Sequence, residues 1–250
     1  ILNEKTTYLI LLSILHNHMH IQSFLFSRKI IGFKKLITSK FKTIDKNKDI
    51  EFIFINGGKF EQGTYEGENL LCFDNEKPRF STKINDFLVS NILVTEKLVE
   101  KFILGNGYKK EDYWCDNGWR WINENKITLP LYWKKMGDDL VIKNHKFHQI
   151  VIGNNPASHL NWYEAKAICK WLGGRLPTES EWEYLATNGG TTKLPWGNNW
   201  KENVANIEYS GDVCDVSSFS NGDNKWGVRQ LIGNLWEWCE EPIYPYDGFV

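Results

Sequence analysis

Residues 161–183 have the sequence NWYEAKAICKWLGGRLPTESEWE, which predicts two short helices joined by a rigid turn. Gly173 and Gly174 favour the left-handed backbone that ends a helix. Thr178 and Glu181 then form a T-x-x-E capping box that begins the second helix. Apolar residues at helical spacing predict buried positions at Trp162, Ala165, Cys169 and Leu172 on the first helix, and at Trp182, Leu185 and Ala186 on the second. These helices form a scaffold, and we expect no chemistry from the stretch itself.

Length and charge limit the possible functions. The chain has 250 residues, of which 42% are hydrophobic and 24% charged, enough for one large globular domain or two small ones. Its formal net charge is -1. Because there is no basic excess, we expect neither a nucleic acid nor a membrane surface as a partner.

Cysteine usage indicates a reducing compartment. The five cysteines are widely spaced and contain no CxxC pair, which favours a reduced, cytoplasmic protein over a disulfide framework. The apolar run 8–15 is too short to cross a bilayer, so we expect no membrane span there.

The order of sequence patterns predicts an α+β chain with much irregular backbone. Residues 5–37 predict one helix with a break near Gly32, and the lysine-rich segment 38–50 predicts a linker. After residue 51 we expect two strands around a Gly-Gly turn, two more short strands in 83–94, and a helix capped by Thr95. Residues 134–150 read as a polar insertion.

Several motifs together resemble the formylglycine-generating-enzyme (sulfatase-modifying factor) domain, which has a C-type-lectin-like fold. They are GGRLPTESEWEYLAT, LPWG, ENVAN and GNLWEWC. Further segments look like the non-haem iron sulfoxide synthases of ergothioneine and ovothiol biosynthesis: FDNEKPRF, GNGYKKEDYWCDNGWRWI, PLYW and PIYPYDGF. The ending PIYPYDGF is most similar to the ovothiol-type, 5-histidylcysteine sulfoxide synthase branch.

The resemblance implies a domain plan and an activity. Residues 1–37 would be part of a DinB-like helical bundle, 38–50 a linker, and 51–250 a lectin-like domain that continues past the last residue given. The implied reaction uses Fe(II) and dioxygen to couple cysteine, or a cysteine peptide, to the imidazole of histidine or a histidine derivative. The expected partners are therefore small molecules, and the oligomeric state is left open.

His16 and His20 are the candidate iron ligands. They lie four residues apart on the predicted helix, so their imidazoles share one face, whereas His18 is about 200° around the helix from His16. Zinc peptidases place a glutamate after the first histidine of such a pair, but Asn17 cannot act as a base. Imidazole ligands suit iron with open positions. A purely structural histidine pair is the alternative.

The histidine helix departs from the family pattern in three respects. Gln22 stands where the family usually has an acidic residue that orients a ligand. Met19 stands where a related enzyme uses a polar substrate contact. The family's third histidine comes from an earlier helix, for which this chain has no counterpart.

The remaining candidate site residues are two tyrosines and four residues of a calcium site. In the resembling synthases a tyrosine near the end of the lectin-like domain donates a proton or positions substrate, and Tyr244 and Tyr246 both match. Aromatic packing is the alternative for either residue. Positions that bind calcium in the wider fold correspond to Gln230, Gly233, Leu235 and Glu237.

Two other functions remain open. One is a catalytically degenerate, lectin-like binding module. The other is formylglycine generation on sulfatases, which uses a C-terminal cysteine pair. For Cys239, after the WEW motif, the sequence predicts a buried or semi-buried thiol and not that nucleophile.

Overall fold

The computed structural model describes residues 3–33, 49–65, 71–144, 147–151, 153–207 and 213–249. Most of the predicted linker 38–50 and the end of the predicted helix 5–37 lie outside the described residues. The described chain contains five α-helices and seven strands.

Helix α1 (Glu4–Ile31) is long and carries no fully buried residue. The Asn3 side chain caps its first turn by accepting from the Thr6 amide, and Gly32 ends it in the left-handed conformation with a φ of 90°. The break predicted near Gly32 is therefore the helix end. The Tyr8 hydroxyl donates to the Cys72 carbonyl oxygen at 3.5 Å, and the Phe26 ring packs on His159. These two contacts place α1 against the rest of the molecule.

Helix α1 is also long and apolar enough to cross a membrane by length and composition. The apolar run 8–15 underestimates the apolar part of this helix, which includes a window of 18 residues with a mean hydropathy of 1.2. Core helices of soluble bundles have the same length and composition, since a helix that is apolar on all sides must be covered by some apolar surface.

The strands form three small antiparallel sheets. Strand β1 (Phe52–Ile55) pairs with β4 (Phe87–Ser90), and β2 (Gly58–Gln62) pairs with β3 (Phe80–Ile84). The two strands around the Gly-Gly turn are present as predicted, but each pairs with a strand from 80–90 and not with the other. The third sheet consists of β5 (Trp133–Met136), β6 (Asp139–Asn144) and β7 (Phe147–Ile150).

The third sheet corrects the expected polar insertion 134–150. The alternation there was hidden by exposed charges on strands β5 and β6, whereas Leu140 and Val141 are buried. Gly137, at a φ of 63°, forms the turn between the two strands. Trp133 ties this sheet to the larger of the two cores.

Four helices support the lectin-like part. They are α2 (Glu96–Leu104), α3 (Asp116–Asn125), α4 (Trp162–Trp171) and α5 (Glu179–Ala186). The predicted caps are confirmed: Thr95 accepts from the Leu98 amide, and Thr178 forms a capping box with Glu181. Leu185 and Ala186 are buried as predicted, and Trp182 is half-buried.

The prediction of which face of α4 is buried is wrong. The buried residues are Glu164, Ala167 and Ile168, whereas Ala165, Cys169 and Leu172 are only half-buried. Glu164 can be buried because the Tyr108 hydroxyl donates to its carboxylate at 2.6 Å. The predicted face instead meets the C-terminal segment, where the Trp162 indole donates to the Cys239 carbonyl oxygen at 2.9 Å.

Two apolar cores organise the molecule. The larger one surrounds Phe102, and the smaller one joins Ile55, Phe60, Tyr184 and Leu185 beneath strands β1 and β2. Gly107 allows a close approach in the larger core, because a Cβ atom there would lie 2.3 Å from the Phe102 ring. The smaller core positions β2 and α5, which frame the candidate tyrosine site.

Candidate functional site

His16 and His20 stack on the exposed side of α1. Their ring centroids are 4.6 Å apart with an interplanar angle of 27°, and Phe24 continues the stack at 6.2 Å from His20. Both imidazoles are exposed. The shared helix face that the sequence predicts is therefore confirmed, and the pair offers two nitrogen donors to a common ligand.

The histidine pair does not face the lectin-like domain. Tyr8 and Phe26, which contact the domain, are five helical turns apart and hence on one side of α1. His16 and His20 lie roughly 100° around the helix from that side. The domain surface under α1 thus leaves both imidazoles accessible.

The donor set fits two positions of an iron centre. Two neutral imidazoles at i and i+4 are suitable ligands for a divalent transition metal. Within the described ranges, no group of three or more His, Cys, Asp or Glu side chains is arranged to hold a metal. Any further ligand to a metal on this pair would therefore come from outside the described part of the chain, from substrate, or from solvent.

The structure distinguishes the two candidate tyrosines. Tyr244 is 71% exposed, whereas Tyr246 is half-buried and its ring packs edge-on against Phe80 at 4.8 Å. The close approach of Gly63, whose φ is 80°, makes room for the Tyr246 ring: a Cβ atom on Gly63 would lie 3.3 Å from it. Tyr246 is thus the tyrosine held in one place.

The Tyr246 hydroxyl belongs to a chain of hydrogen bonds. It donates to Glu179 Oε1 at 2.7 Å and accepts from Gln62 Nε2 at 3.2 Å. The Ser180 hydroxyl donates to Gln62 Oε1 at 2.5 Å. Desolvation and the hydrogen bond to Glu179 raise the pKa of Tyr246 above its ordinary value of 10.0. The phenol is therefore protonated at neutral pH.

A second set of contacts fixes the backbone beside this phenol. The Gly63 amide donates to Glu183 Oε1 at 2.8 Å, and Arg79 Nε donates to the Gly63 carbonyl oxygen at 3.1 Å. Burial raises the pKa of Glu183 above 4.5, and the charges of Glu179 and Glu76 add to that effect. The loop after β2 is thereby held between α5 and residues 76–79.

The two predicted parts of the site have different contacts. Among the described residues, the side-chain partners of Tyr246 are Gln62, Glu179 and Phe80, whereas the histidine pair contacts Phe24. Within the described residues, the hydrogen bonds and ring contacts of Tyr246 do not include His16 or His20.

His159 connects α1 to the domain through an aromatic seat, formed by His159, Tyr132 and Phe26. The His159 ring lies 4.9 Å from the Phe26 ring and meets Tyr132 edge-on at 5.1 Å. His159 and Tyr132 have φ values of 62° and 71°, a region that bulky residues rarely adopt. Two strained backbone positions thus meet where the histidine helix docks.

Acid is expected to weaken the folded state through His159. Burial, with a contribution from Lys29, lowers the pKa of His159 from 6.5 to about 4. The unfolded chain therefore binds a proton at higher pH than the folded one, so the free energy of unfolding should fall as the pH drops from about 6.5 to about 4. Urea titrations across that range measure the slope.

The matched variant is His159→Asn, because asparagine tolerates a positive φ and does not titrate. It should flatten the slope between pH 6.5 and 4. An unchanged slope in this variant would mean that other groups cause the acid sensitivity.

Three residues of the predicted calcium set, Gln230, Gly233 and Leu235, take part in hydrogen bonds within residues 230–235. Gln230 Oε1 accepts from Asn234 Nδ2 at 2.8 Å, and the Gly233 carbonyl oxygen accepts from the Leu235 amide at 2.8 Å. Desolvation raises the pKa of Glu237 to about 7. A cation at Glu237 would favour its ionised form, and the calcium set stays a prediction.

The cysteines are free thiols, as expected. Burial and the nearby charges of Glu241 and Glu179 raise the pKa of Cys239 to about 11. Because the thiolate is the nucleophilic form, Cys239 is poorly suited to covalent chemistry at neutral pH.

The sequence analysis missed the residues around Tyr246. Gln62 lies on the same face of β2 as the buried Phe60 and is 1% exposed. A polar residue at a core-facing strand position was the available signal. Glu179 offered no comparable signal, because a glutamate in a first helical turn is common on any helix.

A comparison with known protein domains shows the family to which this chain belongs. The model of the sulfatase-modifying factor enzyme 1-like domain matches residues 38–248, and the chain belongs to this family. The match begins after α1, so the histidine pair lies outside the family domain.

The individual proteins that this chain resembles are named for different activities. The chain is 29% identical to the hercynine oxygenase of Mycolicibacterium smegmatis over 207 residues, covering 79% of this chain and 47% of that protein. It is 27% identical to the inactive C-alpha-formylglycine-generating enzyme 2 of Bos taurus, covering 81% and 74%. PvdO from Pseudomonas aeruginosa superposes with a TM-score of 0.49 at 19% identity, over 79% of this chain and 76% of that one. The chain spans about half the length of the hercynine oxygenases it matches.

Proposed function

We propose that this chain belongs to an iron- and oxygen-dependent sulfoxide synthase, which joins the thiol of cysteine or a cysteine peptide to the imidazole of histidine or a histidine derivative. The observation that carries the proposal is the exposed, parallel imidazole pair of His16 and His20, on a helix that precedes a domain of this family. The similarity to proteins named hercynine oxygenase supports the choice of reaction.

The residues have separate roles in this proposal. Fe(II), when bound, would supply dioxygen activation and a position for the substrate thiolate. His16 and His20 would hold it with neutral imidazoles. Tyr246 holds a proton on its hydroxyl oxygen, which makes it the candidate general acid of the lectin-like domain. Asn17 provides no base next to the histidines, which argues against a zinc peptidase.

The proposal includes the domain plan. Residues 1–37 would belong to a DinB-like helical bundle, 38–50 to a linker, and 51–250 to the lectin-like domain. The start of the family match at residue 38 supports this division. The apolar composition of α1, none of whose residues is fully buried, suits a helix of a larger bundle. Five free thiols suit a cytoplasmic protein.

A lectin-like binding module is the second candidate. It is favoured by large apolar side chains that are exposed near the C-terminal end, since exposed aromatic side chains are common in interaction surfaces. Trp236 is 85% exposed and Ile243 is 82% exposed there. Formylglycine generation has less support, because it does not account for the FDNE segment or for the H-x-x-x-H pair of His16 and His20.

Product analysis tests the proposal. The protein is loaded with Fe(II) under argon, mixed with cysteine and histidine, and exposed to air, and the products are analysed by mass spectrometry. We expect a sulfoxide that contains both amino acids, which is absent without iron or without oxygen. Trimethylated histidine and a cysteine-containing peptide are tested in parallel as alternative substrates. A folded, iron-loaded protein that forms none of these products would contradict the proposal and favour the binding module.

A further inference from the structure

The hydrogen bonds around Tyr246 have one possible direction. A glutamate carboxylate only accepts, so the Tyr246 hydroxyl must direct its proton to Glu179. The phenol oxygen then accepts, which requires the nitrogen of the Gln62 amide to face it. The oxygen of that amide faces Ser180, whose hydroxyl donates. The proton positions of all four groups are thus determined by the charge on Glu179.

We propose that Glu179 and Gln62 are positioning residues for Tyr246, which fix the direction in which its hydroxyl points. This inference rests on the proposed function in one respect only, the role of Tyr246 as an acid. The network itself is a property of the lectin-like domain.

The geometry supports positioning over simple packing. Gln62 is almost completely buried, and burying an amide without partners is unfavourable, so its hydrogen bonds to Tyr246 and Ser180 are the reason it can lie there. Glu179 is exposed at the start of α5 and links the phenol to solvent. The Tyr246 ring is held between Phe80 and the backbone at Gly63. Ring and hydroxyl are therefore fixed by different contacts.

The two residues have opposite effects on the phenol. The carboxylate of Glu179 disfavours the phenolate, because it accepts the proton and carries a like charge. The Gln62 amide donates to the phenol oxygen and therefore favours the phenolate. Substitutions of the two residues should accordingly move the acidity of Tyr246 in opposite directions, which loss of packing would not do.

A site-specific titration tests this. Tyr246 is replaced by 3,5-difluorotyrosine, whose greater acidity brings the titration into the range where the protein is folded, and ionisation is followed by ¹⁹F NMR. We expect Glu179→Gln to lower the pKa at position 246 by roughly one unit or more, and Gln62→Met to raise it. Glu241→Gln is the matched control: it neutralises a carboxylate that accepts from the Glu179 amide at 3.1 Å but does not touch the phenol.

The activity measurement separates this inference from the proposed function. In the unlabelled enzyme, both variants should lower kcat for sulfoxide formation roughly ten- to a hundredfold with KM for the thiol unchanged, while Glu241→Gln leaves both parameters unchanged. Tyr246→Phe serves as the reference, because it removes the hydroxyl and should give the largest decrease in kcat. If no protein forms product, the proposed function fails, but the titration still decides whether Glu179 and Gln62 position the phenol. Equal pKa values in Glu179→Gln and Glu241→Gln, with both proteins folded, would overturn the inference.

Discussion

Replacing Phe102 by alanine is expected to lower the free energy of unfolding by about 3–5 kcal/mol. Phe102 is completely buried in the larger core and its ring meets four other aromatic rings, those of Tyr108, Tyr113, Trp114 and Trp171, at centroid distances of 5.7 to 6.4 Å. Rings of this size cannot collapse onto a methyl group, so a cavity would remain. The loss is a large part of a typical domain stability of about 5–15 kcal/mol.

Urea denaturation followed by tryptophan fluorescence measures this effect. Phe54→Ala is the matched control, because it removes the same side chain from strand β1, where Phe54 is 55% exposed. Its effect should stay within about 0.5 kcal/mol. A loss below about 1 kcal/mol in Phe102→Ala would show that the aromatic cluster rearranges to fill the space. Phe102→Leu should fall between these limits, since leucine fills part of the cavity.

Local sequence signals predicted four of the five described helices, α1, α2, α4 and α5, but not α3. The caps at Thr95 and Thr178 and the stop at Gly32 depend on backbone geometry within a few residues, which the sequence contains directly. Strand existence was also predictable around the Gly-Gly turn. Strand pairing was not, because β1 finds its partner 32 to 38 residues further along the chain and β2 finds its partner 18 to 26 residues further along.

Errors arose where tertiary partners decide burial. Glu164 looks like a solvent-facing residue on α4, yet it is buried because Tyr108 donates to it from 56 residues away. Desolvation raises the pKa of both groups; Glu164 adds to the rise at Tyr108, whereas the hydrogen bond from Tyr108 opposes the rise at Glu164. The sheet β5–β7 was missed for a related reason: its exposed faces carry charges, and among its described residues the buried ones are Trp133, Leu140 and Val141.

In the candidate site, too, local features were predictable from the sequence and long-range contacts were not. The pairing of His16 with His20 follows from helical periodicity alone and is confirmed. The choice between Tyr244 and Tyr246 required the structure, because both lie in one irregular segment without periodicity. The partners of Tyr246 come from β2 and α5, which are separated from it by 184 and 67 residues. Long-range contacts of this kind leave no local pattern.

Replacing both His16 and His20 by alanine is expected to abolish iron-dependent product formation and to weaken Fe(II) binding by at least roughly 100-fold, because removing ligands exceeds the effect of losing groups that only orient them. The variant should remain folded. Both side chains are exposed on α1, and alanine is the best helix former, so neither packing nor helix stability is lost. Circular dichroism checks the fold, and iron content with product yield checks the site.

The matched control for this experiment is His18→Ala. His18 is equally exposed on the same helix turn but lies about 200° around from His16, so its imidazole cannot join the pair. It should retain iron and activity. If His18→Ala lost as much iron as the double variant, the metal would bind by a different set of histidines. If the double variant kept its iron, the pair would have only a structural role, and the function would have to be sought in the lectin-like domain, where Tyr246 and its partners are the next residues to change.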